Sequence, residues 1–546
     1  MLIARLFFLT LILGGTAVAD DSRLDRAVDA IFEPWNSLST PGCAVGVAQD
    51  GQVVLSRAYG AADLEHEVAN EPTTLFEVGS VSKQFTAAAI LVLAQDGKLK
   101  LSDDVRKYIP ELPDYGVPIS IEHLLSHTSG IRDWGIVDEL AGWGRTTRVM
   151  SNADVLDIIV RQQQLDFLPG DEFSYTNSGF VLLAIVAERV AGQSLQDFSR
   201  EKLFEPFGMT STQWRDDFRR VVSGRSIAYM DTVRGYVQTM PFENVYGDAG
   251  ILTSVEDLLT WNAVLSERKL GNFVAAEFER RAVLNSGRQS DYSHGLYQRT
   301  YNDTAEISHA GGIGAYRAWL AFYPDFQLSI AVACNAGDPD YTFGGDYFGR
   351  KVADLFLPDS NSVHVRSGSN EIDVEAGLYV SEVTGMPTML VHGEVGLVLG
   401  KISATALSED RAILKNDNIM VVEGNDRYRI EYNTGNVEQF RKVKTWAPKM
   451  SDLDSFTGQF YSSEIGATYE IRKSDTSLVL HIKHRPDIAF ELSPVYRDSF
   501  VYDIRLGDEG ALVRFCRDEL GNVNELGIGW RIGRVRDLRF KRLLQD

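Results

Sequence analysis

The chain has 546 residues, 44% of them hydrophobic and 10% aromatic, which is typical of a folded globular protein with about two to four domains. Its formal net charge of −22 repels phosphate backbones, so we expect no nucleic-acid partner. With 3 cysteines, at most one internal disulfide is possible, and no C-x-x-C or H-E-x-x-H motif is present, so neither a disulfide scaffold nor a metal site is expected.

Residues 1–19 are typical of a secretory signal peptide. An apolar stretch at 6–13 follows a positive charge, and Ala17-Val18-Ala19 provides a small-residue cleavage site. An uncleaved membrane anchor is the alternative, but the apolar stretch is short and ends at two glycines. We therefore expect a periplasmic or secreted protein with no transmembrane anchor after signal removal.

The mature chain opens with an amphipathic pattern that predicts a helix over 23–38. Strand-forming residues at 44–48 and 53–56, separated by an Asp-Gly turn, predict a hairpin. A turn over 76–83 then leads into an apolar helix over 84–94, with a glycine three residues later as its C-cap.

A largely helical block follows, and strands return near its end. The predicted helices cover 155–163, 180–190, 195–203 and 255–265, and the predicted strands cover 317–322 and 328–333. We expect one sheet built from both ends of residues 20–356, with the helical block inserted between them.

The composition changes after Phe356. Residues 357–371 are typical of a linker, and alternating strands and turns follow, which predict two small antiparallel barrels over 372–447 and 448–546.

The two predicted barrels also resemble each other in sequence. Residues 377–381 are similar to 458–462, and 440–443 are similar to 540–543. A chance match of short aromatic motifs is the alternative to an internal repeat.

Ser80 and Lys83 form an S-x-x-K pair at the start of the apolar helix. Three residues apart on a helix, their side chains share one face, and a helix N-terminus favours negative charge. A serine hydroxyl needs a base to become a nucleophile, and a desolvated lysine supplies one at neutral pH. A capping serine beside a solvated lysine is the alternative, and the motif alone is weak.

Tyr175-Thr176-Asn177 precedes a predicted helix. In an extended segment Tyr175 and Asn177 point to the same side, where a tyrosine of lowered pKa shuttles a proton and an amide holds a substrate carbonyl or orients Lys83. The alternative is a helix entry in which Asn177 caps and Tyr175 packs.

His309-Ala310-Gly311-Gly312 precedes the strand predicted over 317–322. Glycines here would let a substrate backbone lie along the strand edge, and backbone N–H groups would bind an oxyanion. An ordinary turn histidine is the alternative.

Together, 76–83, 175–177 and 309–311 resemble, in order and spacing, the S-x-x-K, Y-x-N and K/H-x-G elements of the serine β-lactamase-related family. That family includes class C β-lactamases, D,D-peptidases, D-aminopeptidases and related esterases. Residues 124–130 and 204–209 are also similar to stretches common in it, and the resemblance covers roughly 38–355.

The resemblance implies an α+β fold (an α/β sandwich). In it, a β-lactamase/transpeptidase-like catalytic domain with an antiparallel sheet flanked by helices precedes the two barrels. D-aminopeptidases of the family also carry two C-terminal barrels.

The resemblance also implies the catalytic roles. Ser80 would be the acyl-accepting nucleophile, and Lys83 and Tyr175 would share general-base and general-acid work, with the first base left open. His309 would line the third wall of the site and assist Tyr175, while His127 would be structural.

Substrate-binding residues follow from the same resemblance. Asn177 would hold the substrate amide and the lysine, and Gly311 and Gly312 would line the strand edge. The N–H groups of Ser80 and of a residue near Gly312 would form the oxyanion hole. No cofactor is implied.

His309 replaces the lysine with which class C β-lactamases attract a β-lactam carboxylate. A mostly neutral imidazole attracts that anion weakly, which favours the D-aminopeptidase and esterase branches.

We therefore predict an exported serine hydrolase that acts through an acyl-enzyme on small amides or peptides containing D-amino acids, D-aminopeptidase-like or D,D-peptidase-like. Cell-wall material is one source of such substrates. The alternatives are an esterase or weak β-lactamase with the same site, and a non-turnover penicillin-binding sensor. The sequence leaves the oligomeric state and any Cys43–Cys334 disulfide open.

Overall fold

The computed structural model describes residues 17–145, 147–338, 344–358, 372–393, 396–503, 510–530 and 534–544. Most of the predicted signal peptide (1–16) and most of the predicted linker (359–371) lie outside the described residues. Among the described residues, no single helix is long and apolar enough to cross a membrane; Asn177–Ala191 with Leu195–Phe207 meets that criterion only as a pair bent by 80°.

The α-helices of the described residues all precede the barrels, and a 3₁₀ helix, Met450–Phe456, lies between the two barrels. The α-helices are α1 (Ala17–Phe32), α2 (Lys83–Gln95), α3 (Ile121–Leu125), α4 (Trp134–Leu140), α5 (Asn152–Val160), α6 (Asn177–Ala191), α7 (Leu195–Ser199), α8 (Val255–Ser266), α9 (Asn272–Glu279) and α10 (Gly345–Phe356). A π-helical turn, Arg200–Phe204, extends α7.

The catalytic domain contains short strands and one long sheet. Its strands are β1 (Cys43–Gln49), β2 (Gln52–Ala58), β3 (Ala61–Asp63), β4 (Val68–Ala69), β5 (Phe76–Glu77), β6 (Gln213–Trp214), β7 (Tyr229–Thr232), β8 (Gly235–Gln238), β9 (Ile251–Thr253), β10 (Tyr297–Tyr301), β11 (Thr304–Ile313), β12 (Tyr316–Tyr323), β13 (Leu328–Cys334) and β14 (Ala336–Gly337).

Each barrel has 8 strands. The first contains β15 (Gly377–Ser381), β16 (Pro387–Gly393), β17 (Gly396–Leu399), β18 (Ile402–Ala406), β19 (Arg411–Leu414), β20 (Ile419–Gly424), β21 (Arg427–Glu431) and β22 (Val437–Lys442). The second contains β23 (Gly458–Ser462), β24 (Ala467–Lys473), β25 (Leu478–Ile482), β26 (Arg485–Tyr496), β27 (Ser499–Asp503), β28 (Gly510–Arg517), β29 (Val523–Trp530) and β30 (Leu538–Arg542).

The long sheet of the catalytic domain has the order β10-β11-β12-β13-β1-β2, with every neighbouring pair antiparallel. Its strands come from both ends of the domain, as predicted. Helix α8 packs on one face at Gly46, where an added Cβ would lie 2.9 Å from Leu259. Helices α1 and α10 cover the other face, where Phe32 and Phe348 stack with ring centroids 5.2 Å apart. The central strands β12, β13 and β1 are buried along almost their whole length, because apolar residues on both of their faces pack against these helices.

Cys43 and Cys334 lie directly opposite each other on β1 and β13 and form a disulfide. Both cysteines are buried. The bond therefore joins the first strand of the sheet to a strand from the far end of the domain.

Both barrels are closed by pairing of their first and last strands. Strand β15 pairs with β22, and β23 pairs with β30. These are the segments that resemble each other in sequence, because each closure needs the same alternation of inward and outward residues.

Several predicted boundaries differ from the structure. The opening helix runs from Ala17 to Phe32 rather than over 23–38, because Glu33-Pro34-Trp35 forms a 3₁₀ turn. His309 to Gly312 lie inside strand β11, so the alternative of an ordinary turn histidine is wrong. The sequence predicted no strand over these residues, because glycines weaken strand propensity.

Candidate active site

Ser80 lies in a tight turn between β5 and α2. A 3₁₀ turn, Gly79–Ser82, precedes Lys83, the first residue of α2. Gly79 has φ +50°, and a Cβ there would lie 2.5 Å from the backbone nitrogen of Gly312, so only glycine fits. The turn leaves Ser80 partly exposed, whereas Gly79 and Val81 beside it are buried.

Lys83 is fully buried, and its Nζ reaches three oxygen atoms. It lies 3.2 Å from Ser80 Oγ, 2.8 Å from Asn177 Oδ1 and 2.7 Å from the carbonyl oxygen of Asp248. Burial lowers the pKa of Lys83 to about 7; the nearby Asp248 carboxylate opposes this and Arg145 adds to it. A substantial fraction of the lysine is therefore neutral at neutral pH.

A neutral lysine amine has two N–H bonds and one lone pair. The two N–H bonds are satisfied by Asn177 Oδ1 and the Asp248 carbonyl. In the neutral amine the lone pair is left for Ser80 Oγ, 3.2 Å away, and the serine hydroxyl donates to it, whereas in the ammonium form Nζ donates to Ser80 Oγ. This arrangement matches a nucleophile hydrogen-bonded to its base.

Asn177 is free to contact Lys83 because a neighbour caps the helix. The side chain of Thr176 accepts a hydrogen bond from the N–H of Ser178 at the start of α6. The alternative in which Asn177 caps is therefore wrong. The N–H of Asn177 donates to Asp133 Oδ2 at 2.7 Å, which holds the start of the helix against α4.

Tyr175 is a protonated phenol in this site. Burial raises its pKa; a hydrogen bond with the Ser80 hydroxyl and the charge of Arg534 act in the opposite direction. The sequence-based expectation of a tyrosine with lowered pKa is therefore wrong for this environment. A neutral phenol beside the nucleophile is placed to donate a proton rather than to accept the first one.

His309 lies on β11 and is held by two hydrogen bonds. Its Nδ1 lies 2.6 Å from the carbonyl oxygen of Ala310, and its Nε2 lies 3.3 Å from the hydroxyl of Tyr292. Burial and the neighbouring Lys83 lower its pKa to about 3, so the ring is neutral. Because Nδ1 must donate to a carbonyl, Nε2 accepts from Tyr292.

His127 continues the same chain of hydrogen bonds. Its Nδ1 accepts from the N–H of Thr176 at 3.2 Å, so its Nε2 carries the proton and donates to the Tyr292 hydroxyl, also at 3.2 Å. The ring of His127 also packs on that of Tyr175, with centroids 4.2 Å apart. His127 therefore joins the Tyr175 segment to Tyr292 and His309, a structural position.

Sequence reasoning missed Tyr292. It is fully buried and links two histidines, but it lies outside the three motifs and no spacing marks it. An aromatic residue just before β10 has the same local pattern as an ordinary core residue.

Gly311 and Gly312 bring β11 against the nucleophile turn. Strand β10 pairs only with Thr304–Ser308 of β11, so the edge from His309 onwards faces the segment 78–80. A Cβ on Gly311 would lie 2.0 Å from the carbonyl oxygen of Val78 and 3.0 Å from the nitrogen of Ser80. The backbone groups of this edge are thus within reach of an oxyanion bound at Ser80.

One residue of the second barrel also reaches the site. The guanidinium carbon of Arg534 lies 5.1 Å from the ring centroid of Tyr175, and its carbonyl oxygen accepts from the N–H of Asp133 at 3.1 Å. No sequence pattern connects it with the three motifs.

Among the described residues, three metal-ligand side chains approach one another at one place, Asp63, Glu65 and His66, whose ligand atoms lie within 4.8 Å. His66 Nδ1 lies 2.7 Å from Asp63 Oδ2 on an exposed turn between β3 and β4. These contacts are those of a surface turn.

The Beta-lactamase family matches residues 24–354, and the chain belongs to this family. The fold and the arrangement of Ser80, Lys83, Tyr175 and Asn177 agree with that assignment.

Among curated relatives, a D-aminopeptidase of Cereibacter sphaeroides is 30% identical over 325 residues, which cover 58% of this chain. The chain spans 60% of the length of that relative. Penicillin-binding protein 4* of Bacillus subtilis is 28% identical over 328 residues, covering 57% of this chain and 71% of the relative. Among solved structures, one titled "Crystal structure of SurE" has a TM-score of 0.54 and 18% identity, and covers 97% of this chain and 100% of its own, which shows a shared fold.

Proposed function

We propose that the protein is a serine hydrolase that acts through an acyl-enzyme on small amides or peptides containing D-amino acids. One observation carries this proposal: Lys83 Nζ lies 2.8 Å from Asn177 Oδ1, 2.7 Å from the Asp248 carbonyl oxygen and 3.2 Å from Ser80 Oγ. A neutral amine that donates to the first two oxygens has its lone pair left for Ser80. The similarity to a D-aminopeptidase supports the choice of substrate.

Acylation follows from the positions of these groups. Lys83 Nζ takes the proton of Ser80 Oγ as the oxygen attacks the substrate carbonyl carbon. The carbonyl oxygen becomes an oxyanion, stabilised by the N–H of Ser80 and by backbone donors on the β11 edge. Tyr175 gives its phenolic proton to the leaving nitrogen, the C–N bond breaks, and the phenolate is reprotonated from the Lys83 ammonium.

Deacylation reverses these roles with water. Lys83 removes a proton from the water as its oxygen attacks the ester carbonyl, and Ser80 leaves with a proton supplied through Tyr175. Asn177 keeps Lys83 in place throughout, because its Oδ1 accepts from the amine at 2.8 Å.

Export to the periplasm or the medium, with cell-wall fragments as a substrate source, is part of the proposal. The buried Cys43–Cys334 disulfide supports it, because such bonds persist in oxidising compartments. N-terminal sequencing of the protein recovered from a secreting host is expected to begin at Asp20. A cytosolic product that retains residues 1–19 would contradict this part.

Penicillin recognition without turnover is the second candidate, favoured by the similarity to penicillin-binding protein 4*. It differs from the hydrolase in the fate of the acyl-enzyme. A labelled penicillin would remain bound to Ser80 in a sensor, whereas a weak β-lactamase would release it. An esterase is distinguished by its substrates, because it would cleave esters but not amides.

The test is release of nitroaniline from D-alanine p-nitroanilide by the mature protein, beside the L-isomer and a Ser80→Ala variant. Steady turnover of the D-isomer that disappears in the variant is expected. Turnover that persists in Ser80→Ala would refute the site itself. Absence of turnover with both isomers would refute the amide substrate and favour ester cleavage or β-lactam acylation.

A further inference from the structure

Residues 534–536, which lie between β29 and β30 of the second barrel, are bound to the catalytic domain next to the active site. The N–H of Asp133 donates to the carbonyl oxygen of Arg534 at 3.1 Å, and the N–H of Arg536 donates to Asp166 Oδ1 at 3.0 Å. Val535 between them is fully buried. These contacts fix the backbone of the segment, so Arg534 has a defined place beside Tyr175.

The two arginines of this segment differ in their partners. Arg536 forms two hydrogen bonds with the carboxylate of Glu172, at 2.9 and 2.8 Å. Arg534 has no carboxylate within ion-pair distance among the residues that the structure describes, and its guanidinium lies over the ring of Tyr175. A guanidinium held beside a reacting group without a paired carboxylate attracts an anionic group of a bound ligand.

Arg534 lines a cavity of about 310 Å³ that all three domains enclose. Tyr175 contributes from the catalytic domain, Tyr432 and Glu438 from the first barrel, and Arg536 from the second. The Glu438 carboxylate is occupied, since it accepts hydrogen bonds from Tyr432 and Ser381. The guanidinium of Arg534 is thus the group of this cavity that remains for a ligand anion.

Among the described residues of the three motifs, neither His309 nor Lys83 provides a fixed cation for a substrate carboxylate. His309 is neutral, because its Nδ1–H donates to Ala310 and its Nε2 accepts from Tyr292. Lys83 is directed at Ser80 and must be neutral to act as a base.

We propose that Arg534, supplied by the second barrel, is a specificity-determining residue that binds a carboxylate on the leaving group of the substrate. The planar guanidinium matches a carboxylate with two parallel hydrogen bonds. Tyr175 protonates the leaving group in the proposed mechanism, and Arg534 lies beside Tyr175. The carboxylate that Arg534 binds is therefore on the leaving group and not on the acyl part of the substrate. The inference rests on the proposed function and narrows its substrates to D-amino-acid peptides whose leaving group carries a free carboxylate.

The test compares two substrates that differ in one charge: N-acetyl-D-alanyl thioglycolate and its methyl ester. Release of the thiol gives kcat/KM for each, and the readout is the ratio of acid to ester. The full-length protein is expected to prefer the acid. Arg534→Ala is expected to lower the ratio by about tenfold to a hundredfold, since it removes a charge-assisted interaction.

Two further variants separate charge from general damage. Arg534→Lys keeps the charge without the planar fork, so its ratio is expected to lie between those of the wild type and Arg534→Ala. Arg497→Ala removes an arginine of the same barrel whose side chain is 85% exposed, and its ratio is expected to equal that of the wild type.

An equal ratio in the wild type and Arg534→Ala, with both substrates cleaved, would overturn the role of Arg534 and leave the proposed function standing. Cleavage of neither substrate by the wild type would overturn the inference, and turnover of D-alanine p-nitroanilide, measured separately, would then decide whether the proposed function stands. A ratio that falls as strongly in Arg497→Ala would also overturn the role, because the effect would then be that of the barrel's overall charge.

Discussion

At the scale of single residues, the chemistry of this site depends on where Lys83 is placed. Its amine is removed from water at the start of α2 and kept close to Ser80 by Asn177 and the Asp248 carbonyl. The S-x-x-K spacing predicted that the two side chains would meet. Burial of the lysine, which lowers its pKa and favours Lys83 over Tyr175 as the first base, depends on helices far away in sequence.

The pH profile tests this placement. We expect kcat/KM to rise with pH and to reach half of its maximum near pH 7, because Lys83 must lose its proton before it can accept one from Ser80. The Asp248 carboxylate raises the pKa of Lys83 because it favours the charged amine. Asp248→Asn is therefore expected to lower that pKa and to move the rise in kcat/KM to lower pH. Initial rates from pH 5 to about 9 measure both. A rise that moves to higher pH in the variant would contradict the assignment.

Tyr292→Phe tests the chain of hydrogen bonds between His127 and His309. Removal of the hydroxyl leaves His127 Nε2–H and His309 Nε2 buried without partners, so we expect a loss of about 1–3 kcal/mol in the free energy of unfolding. kcat is expected to fall, because His309 loses its orientation. Denaturant unfolding and steady-state kinetics measure these changes.

The matched control for this substitution is Tyr461→Phe. The Tyr461 side chain is 41% exposed on the second barrel, and its variant is expected to resemble the wild type in both assays. Wild-type stability in Tyr292→Phe would show that the two histidines do not depend on that hydroxyl.

At the scale of elements, the site forms where the turn that carries Ser80, the start of α6 and the strand β11 lie against one another. The nucleophile turn fits beneath β11 because Gly79 and Gly311 have no side chains. The sequence predicted the turn and the helix from local preferences. The sequence predicted no strand at His309, because glycine-rich stretches have a low strand propensity. In the structure, pairing with the neighbouring strands stabilises this strand.

Gly311 and Gly312 offer a comparison within one strand. A Cβ on Gly311 would lie 2.0 Å from the Val78 carbonyl, so Gly311→Ala must separate β11 from the nucleophile turn. We expect a lower thermal midpoint and a loss of kcat/KM on the order of a hundredfold. A Cβ on Gly312 meets nothing closer than 3.6 Å, so Gly312→Ala is expected to keep the wild-type midpoint. Equal midpoints for the two variants would contradict this packing.

At the scale of the whole molecule, both barrels are bound to the region that carries the active site. The side chain of Asn436 in the first barrel exchanges two hydrogen bonds, both 2.8 Å, with the backbone of Phe173, two residues before Tyr175. In the second barrel, the hydroxyl of Tyr469 donates to the carbonyl of Leu140 at 2.6 Å. The barrels therefore support the Tyr175 segment as well as enclosing the cavity beside it.

Glu464→Gln tests how strongly the second barrel is held. Arg132 is buried and pairs with Glu464 of this barrel and with Asp166. Removal of one carboxylate leaves a buried guanidinium partly unpaired, so we expect a loss of about 3 kcal/mol in the free energy of unfolding.

Glu470→Gln is the control for that variant. Glu470 pairs with the largely exposed Arg472 on the same barrel, and its loss is expected to cost less than about 1 kcal/mol. Denaturant unfolding of both variants gives the comparison. Equal stabilities would show that the interdomain pair contributes no more than a surface pair.

The sequence by itself determined the features that depend on local spacing. Ser80 and Lys83 are three residues apart, Tyr175 and Asn177 flank one helix start, and alternating residues define the strands of the barrels. Only the tertiary structure decided which groups surround them. Tyr292 and Arg534 lie beside the site although they come from distant parts of the chain, and burial lowers the pKa of Lys83. Desolvation and charge depend on all neighbours in three dimensions, and these are absent from any short stretch of sequence.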